Sequence, residues 1–188
     1  KVVETRLAKF YSVMNQAIQR SVVDNDEPEY WITDPEVLNG SNVDYNKLYE
    51  KYIIPYLDGV SITDVTQGRI YTLKDGSSFS PNYDSHCSLS DTGLGFAISK
   101  DVLENATWDL RSEKNLGKKI FCFDFPNISQ KLYDSINSNV IGIFPTGYTS
   151  NNPICIHPDP NDYRELEYCA AIIMRNGWKI PDDYPIKF

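Results

Sequence analysis

Apolar residues recur through the first part of the chain at alternating steps of four and three residues. The series is Val3, Leu7, Phe10, Met14 and Ala17. This is the spacing of one face of an α-helix, and Tyr11, Ile18 and Val22 widen the face to about 140°, which is typical of a helix that lies on a core. Pro28 and the turn-forming residues before it end the pattern. We therefore predict an amphipathic helix over 1–23 with the five residues of the series buried. No capping residue precedes Lys1, which favours a further helical segment upstream.

Two more helices are expected from their spacing and caps. A helix over 42–57 would begin at Asn42 or Asp44 and would bend or end at Pro55, because proline lacks the backbone N–H that a helix interior requires. A closing helix would run from the Asn161-Asp162 cap to Arg175, followed by a left-handed stop at Gly177. Residues 24–43 are rich in Asp, Asn, Pro and Gly and are assigned to a loop.

Short strands are predicted between these helices, in segments rich in β-branched and aromatic residues. They cover 60–62, 69–73, 95–98, 119–125 and 140–144. The turn residues 74–77 follow the second segment and indicate a hairpin. The expected fold is α+β, with the N-terminal amphipathic helix packed on a small antiparallel β-sheet and a short C-terminal helix. At 188 residues the chain suits a single domain, 1–188.

Charge narrows the choice of partners. The chain carries 18 basic and 26 acidic residues and a net charge of −8, which disfavours nucleic acid and anionic membrane surfaces. Thirteen tyrosines, eight phenylalanines and three tryptophans indicate a folded protein with a substantial core.

The four cysteines, Cys87, Cys122, Cys155 and Cys169, suit two disulfides and an oxidising compartment. Three pairings are open on spacing alone. Two alternatives use free thiols: a zinc site, because His86 adjoins Cys87 and His157 follows Cys155 by two positions, and four buried thiols. Zinc is disfavoured because no C-x₂-C spacing occurs.

Catalytic signatures are absent from the sequence. There is no nucleophile elbow, phosphate-binding loop or metalloprotease motif, and a Cys–His nucleophile could use only His86 or His157. We therefore predict no enzyme activity and no cofactor. Calcium is the open alternative at two acidic clusters, which lack the order of an EF-hand. They are Asp24, Asp26, Glu27 and Glu29, and Asp159, Asn161, Asp162 and Glu165.

Three segments together resemble a known class of protein. They are RLAKFYSVMNQAIQRS (6–21), EKYIIPYL (50–57) and YCAAIIMRNGWKIPDDYP (168–185). They resemble the bacterial prepilin-like proteins, that is, the type IV pilins and type II secretion pseudopilins. The residues that carry the resemblance are Tyr52, Pro55, Tyr56, Gly177, Trp178, Lys179, Pro181, Asp183, Tyr184 and Pro185. Residues 60–160 carry no motif of that class.

The resemblance implies a pilin-like headgroup that acts as a structural subunit of a type IV pilus or a secretion pseudopilus. Residues 1–23 would be the C-terminal half of a long helix. Its hydrophobic upstream half would anchor the subunit in the membrane before assembly and lie in the filament core afterwards. The partners would be other pilin subunits, and the filament would be extracellular, at the cell surface.

The resemblance also implies a C-terminal disulfide, Cys155–Cys169, which leaves Cys87 to pair with Cys122. It allows the first turn near Lys1 to protrude. Independently of the resemblance, polar residues alternate with apolar ones after the stop at Gly177, which predicts that the chain reverses and that Trp178, Ile180 and Tyr184 lie on the domain. Two other functions stay open: a secreted or surface-anchored adhesin or ligand-binding module that does not polymerise, and a secreted hydrolase of unrecognised type.

Overall fold

The first helix, α1 (Val2–Asn25), buries the apolar stripe that its sequence predicts. The computed structural model describes residues 1–83, 87, 92–109, 111–130, 140–156 and 159–188. All five residues of the stripe are buried, and Leu7 and Met14 are fully enclosed. The buried helical face is therefore confirmed. The protruding first turn is wrong, because Val3 is only 8% exposed.

Six antiparallel strands form the main sheet in the order in which they occur along the chain. They are β3 (Ser61–Val65), β4 (Gly68–Thr72), β5 (Ser78–Ser80), β6 (Gly93–Ala97), β7 (Ile120–Asp124) and β8 (Phe144–Pro145). A separate pair, β1 (Leu38–Asn39) and β2 (Asn42–Val43), lies in the segment that was assigned to a loop. The predicted hairpin is confirmed, because Tyr71 pairs with Phe79 across the 73–77 turn.

Both faces of the sheet are covered. In β7, Phe121 and Phe123 join the core under α1, while Ile120 and Cys122 join a second core on the opposite face. This division follows from the alternation of side chains along a strand. Phe10 of α1 lies over the centre of the first core, with its ring centroid 5.6 Å from Phe79, 4.4 Å from Phe96 and 5.2 Å from Phe123.

Four short helices complete the described fold: α2 (Pro28–Trp31), α3 (Tyr45–Tyr52), α4 (Lys100–Glu104) and α5 (Cys169–Arg175). Single 3₁₀ turns lie at Ile54–Tyr56, Pro81–Tyr83, Pro126–Ile128 and Arg164–Leu166. The α+β class, with an N-terminal helix on an antiparallel sheet and a short C-terminal helix, is confirmed. None of the helices in the described part of the chain has the length and apolarity needed to cross a membrane.

Three predicted elements differ from the structure in their bounds, each because of specific hydrogen bonds or a specific residue. The second helix begins after Asp44, whose carboxylate accepts the Lys47 N–H, and Pro55 lies in the following 3₁₀ turn. Asn42, the alternative cap, lies in β2. The closing helix is α5 alone, because the Asp162 carboxylate takes the Arg164 N–H and competes with helix formation there.

The third wrong element is the strand predicted over 140–144, of which only Phe144 belongs to β8. Backbone N–H groups that would pair with a neighbouring strand instead form hydrogen bonds with side-chain amides. The Ile143 N–H donates to Asn15 Oδ1 at 2.8 Å, and the Gly142 N–H donates to Asn127 Oδ1 at 3.0 Å. Strand β5 and helix α4 were not predicted, since serine-rich Ser78–Ser80 carries little strand signal.

Candidate interaction surface

The chain reverses direction after α5 through a Schellman turn. The Gly177 N–H donates to the Met174 carbonyl and the Trp178 N–H donates to the Ile173 carbonyl, while Gly177 has the positive φ of 66° that this motif requires. Trp178 also has a positive φ, 62°. Its indole lies 5.1 Å from the ring of Tyr11 on α1 and is half-buried there.

The tail beyond Trp178 is fixed to the first turn of α1 and to the far side of the sheet. The Ile180 N–H donates to the Glu4 carboxylate at 2.9 Å, and this hydrogen bond is the main reason why the pKa of Glu4 lies below its usual value. The Tyr184 hydroxyl donates to the Gly117 carbonyl. Lys179 and Asp183 are exposed, and Pro181 and Pro185 are half-buried.

The other residues of the resemblance lie at the opposite end of α1. Tyr52 stacks on Trp31 with ring centroids 4.9 Å apart, and the Tyr56 hydroxyl donates to Asp24 at 2.9 Å. Pro55 is exposed. The tail contacts α1 at Glu4 and Tyr11 and Tyr56 contacts it at Asp24, so about 20–30 Å of helix separates the two sets of contacts.

A charged network surrounds Tyr52. The Tyr52 hydroxyl and the Lys51 ammonium both donate to the Asp34 carboxylate, at 2.5 and 2.6 Å, and Lys51 also reaches Glu36 at 2.6 Å. Lys51 first and Tyr52 second lower the pKa of Asp34 to about 2. Burial, followed by the hydrogen bond to Asp34, raises the pKa of Tyr52 to about 12. The network fixes α3 against the loop that holds Asp34.

Two grooves run along the outward face of α1. The hairpin-side groove, of about 220 Å³, lies between α1 and the β4–β5 turn. It is lined by Lys9, Val13, Gln16, Ala17, Arg20, Tyr56, Asp58, Leu73 and Lys74. The tail-side groove, of about 710 Å³, is lined by Ala8, Tyr11, Ser12, Asn15, Gln16, Gln19, Arg20 and Trp178.

Residues 1–188 match DUF6613, a family of unknown function, over the whole of the chain. The chain belongs to the DUF6613 family. No curated protein and no solved structure matches it.

All four cysteines of this DUF6613 protein are in disulfides, Cys87–Cys122 and Cys155–Cys169. These are the two pairs expected from the resemblance. A zinc-bound thiolate, a Cys–His nucleophile and a set of free buried thiols each need a reduced cysteine, so none of the three is compatible with this structure. His86 and His157 lie outside the described residues.

The side chains of the two acidic clusters are spread apart. Within the described ranges, no three His, Cys, Asp or Glu residues come together as metal ligands. Asp162 instead pairs with Arg164 at 2.5 Å, and this contact lowers the pKa of Asp162 to about 2. In the first cluster, Asp24 accepts from Tyr56.

The sequence did not point to the hairpin-side groove of this DUF6613 protein. Lys9 and Arg20 lie on α1, while Asp58 and Lys74 come from separate turns. They meet only because the β4–β5 hairpin lies beside α1. No local motif joins residues so far apart in the sequence, although the outward position of Lys9 and Arg20 follows from the helix period.

Proposed function

We propose that this DUF6613 protein is the headgroup of a structural subunit of a type IV pilus-like or secretion pseudopilus-like filament. The observation that carries the proposal is the place of α1. Its apolar stripe lies along an antiparallel sheet, and both segments that resemble prepilin-like proteins contact it, the tail at Glu4 and Tyr11 and the other segment at Asp24. The outward face between the two grooves is left for contact with other subunits. On this proposal the protein acts by assembly and not by catalysis.

Two further features support a filament outside the cytoplasm. Two disulfides suit an oxidising compartment. The tail contacts with Tyr11 and Glu4 hold the helix to the headgroup, as a subunit that bears load would need. The proposal requires an apolar helical segment before residue 1 as the membrane anchor and filament core. The gene sequence upstream of Lys1 tests this requirement directly.

Immunogold electron microscopy of cells that express the natural gene tests the proposal. An antibody raised against residues 1–188 should label filaments at the cell surface, and a strain lacking the gene should lose the label. Label confined to a soluble secreted fraction, with no filament stained, would contradict the proposal. Expression of the gene from a plasmid in the deletion strain is the control.

A second function is favoured by the tail-side groove. Tyr11 and Trp178 lie beside Gln16 and Gln19 there, and aromatic rings with amide groups are suited to bind small polar ligands. In that case the protein would be an adhesin or ligand-binding module that does not polymerise. Secretion as a monomer, together with saturable binding that Trp178→Ala abolishes, would favour this function over the filament.

A further inference from the structure

Cationic side chains converge on the hairpin-side groove of an acidic protein. Lys9, Arg20 and Lys74 line the groove against a single carboxylate, Asp58, although the whole chain carries a net charge of −8. Lys9 is paired with Asp75 at 3.2 Å. Arg20 and Lys74 are exposed and form no ion pair with any residue that the structure describes. The groove therefore presents unpaired positive charge beside apolar side chains.

The complementary charge lies at the end of α1. We define the acidic tip as residues 23–30. Its four carboxylates, on Asp24, Asp26, Glu27 and Glu29, are all exposed. Two apolar side chains of the tip are exposed as well, Val23 at 84% and Tyr30 at 60%. The tip therefore carries negative charge that complements the cations of the groove, and exposed apolar side chains that match the apolar part of its lining.

Two carboxylates of the acidic tip are placed unfavourably, since Asp24 lies in the last turn of α1 and Asp26 follows the helix directly. The C-terminal end of a helix carries a partial negative charge, so nearby carboxylates are repelled there. The last turn of α1 has no basic residue to offset this repulsion. A cation supplied by another molecule would offset it.

The tip cannot fill the whole groove of its own chain. Asp24 lies 15 residues after Lys9 on the same helix, which is about 22 Å along the axis. Arg20 lies one turn before Asp24, and Tyr56, which also lines the groove, donates its hydroxyl to Asp24. The Lys9 end of the groove and Lys74 are thus open to a different copy.

From these observations we infer that the acidic tip of one copy docks in the hairpin-side groove of a second copy. The tip and the groove are different surfaces, so the contact is heterologous. Each copy can bind one neighbour through its tip and another through its groove. Such contacts repeat along a helical assembly unless they close into a ring. The inference rests on the proposed filament function and names the surfaces that the subunits would use.

Sedimentation equilibrium of residues 1–188 tests the contact. We expect self-association that weakens as the salt rises from about 20 mM to about 0.5 M, because salt screens exposed charges. Lys74→Glu and Glu27→Lys should each weaken the association constant about fivefold, as expected for an exposed charge pair. The double variant should restore most of the loss, because it reverses both partners.

Matched controls change the same net charge at exposed positions outside the groove and the tip. They are Lys114→Glu and Asp182→Lys, which should leave the association constant within about twofold. Far-ultraviolet circular dichroism of every variant checks that the fold is kept.

Three outcomes would overturn the inference: a monomer at all concentrations up to about 1 mM, an equal effect of Lys74→Glu and Lys114→Glu, or no recovery in the double variant. The filament proposal is judged separately by labelling at the cell surface. Labelled filaments without charge-dependent association would refute this contact alone. Charge-dependent association without labelled filaments would refute the filament alone.

Discussion

Single residues at the end of α1 show how local strain is held in place. Asp26 has φ 60° and ψ −170°, a conformation that is essentially restricted to glycine. The indole N–H of Trp31 donates to the carbonyls of Asn25 and Asp26, at 3.0 and 3.1 Å, and Trp31 is itself buried against Tyr52. The tryptophan therefore fixes a backbone shape that Asp26 does not favour.

Relief of this strain should stabilise the protein. We expect Asp26→Gly to raise the free energy of unfolding by about 1 kcal/mol, because the strain removed exceeds the entropy that glycine adds to the unfolded chain. Urea unfolding measures the change. Asp26→Asn removes the same charge but keeps Cβ, and it should stabilise less. A destabilised glycine variant would show that the conformation is unstrained.

The pKa of Asp34 should be about 2 in the folded protein, below its ordinary value of 3.8. A carboxyl whose pKa falls on folding stabilises the folded state above its unfolded pKa, and this contribution is lost as the pH falls through the folded pKa. The loss for Asp34 should therefore lie between about pH 4 and pH 2. Lys51→Gln should return the pKa of Asp34 toward 3.8, as measured by NMR titration. An unchanged pKa in this variant would show that Lys51 is not its main cause.

The sequence predicts well those elements in which apolar residues recur with a regular helical period. The stripe of α1 needs only its own spacing, so its burial follows from residues 1–23 alone. The failed strand over 140–144 is different, because its backbone hydrogen bonds go to Asn15 and Asn127. Those partners are distant in sequence, and no local pattern reveals them.

The buried stripe of α1 should also contribute strongly to the free energy of unfolding, through the first core. Phe10→Ala should cost about 3–5 kcal/mol, because it leaves a cavity between three phenylalanine rings that cannot close fully. Chemical denaturation gives the value. Val2→Ala is the control on the same helix, and since Val2 is 61% exposed its effect should stay within about 0.5 kcal/mol. A loss below about 1 kcal/mol for Phe10→Ala would mean that α1 is not held by this contact.

At the scale of the whole molecule, the sheet forms between strands that follow one another in sequence, whereas its two cores bring together residues that are far apart in sequence. The order of the strands along the chain matches their order in the sheet, so each strand pairs with the strands that precede and follow it in sequence. The covering of the second face is not local. Cys122 on β7 and Cys169 on α5 both lie in that core, together with Leu116 and Leu166. The sequence predicts the strands, but it does not predict which loops cover them.

The two disulfides should contribute unequally to stability. They close loops with sequence separations of 35 for Cys87–Cys122 and 14 for Cys155–Cys169. On the chain-entropy model, replacement of both cysteines by alanine should cost about 4 kcal/mol for the first pair and about 3 kcal/mol for the second. Urea unfolding of the two double variants tests this order. A greater loss for the 155–169 pair would show that local packing outweighs loop length.

The contact between Phe10 and three strands has a consequence for synthesis on the ribosome. About 110 residues separate Phe10 from Phe123 on β7, and at about 5–20 residues per second the ribosome needs about 6–22 s to make them. During that interval α1 has emerged, but the sheet that covers its stripe is incomplete. A nascent chain of this protein therefore exposes an apolar helix until most of the chain is made, and a chaperone that binds apolar helices would protect it.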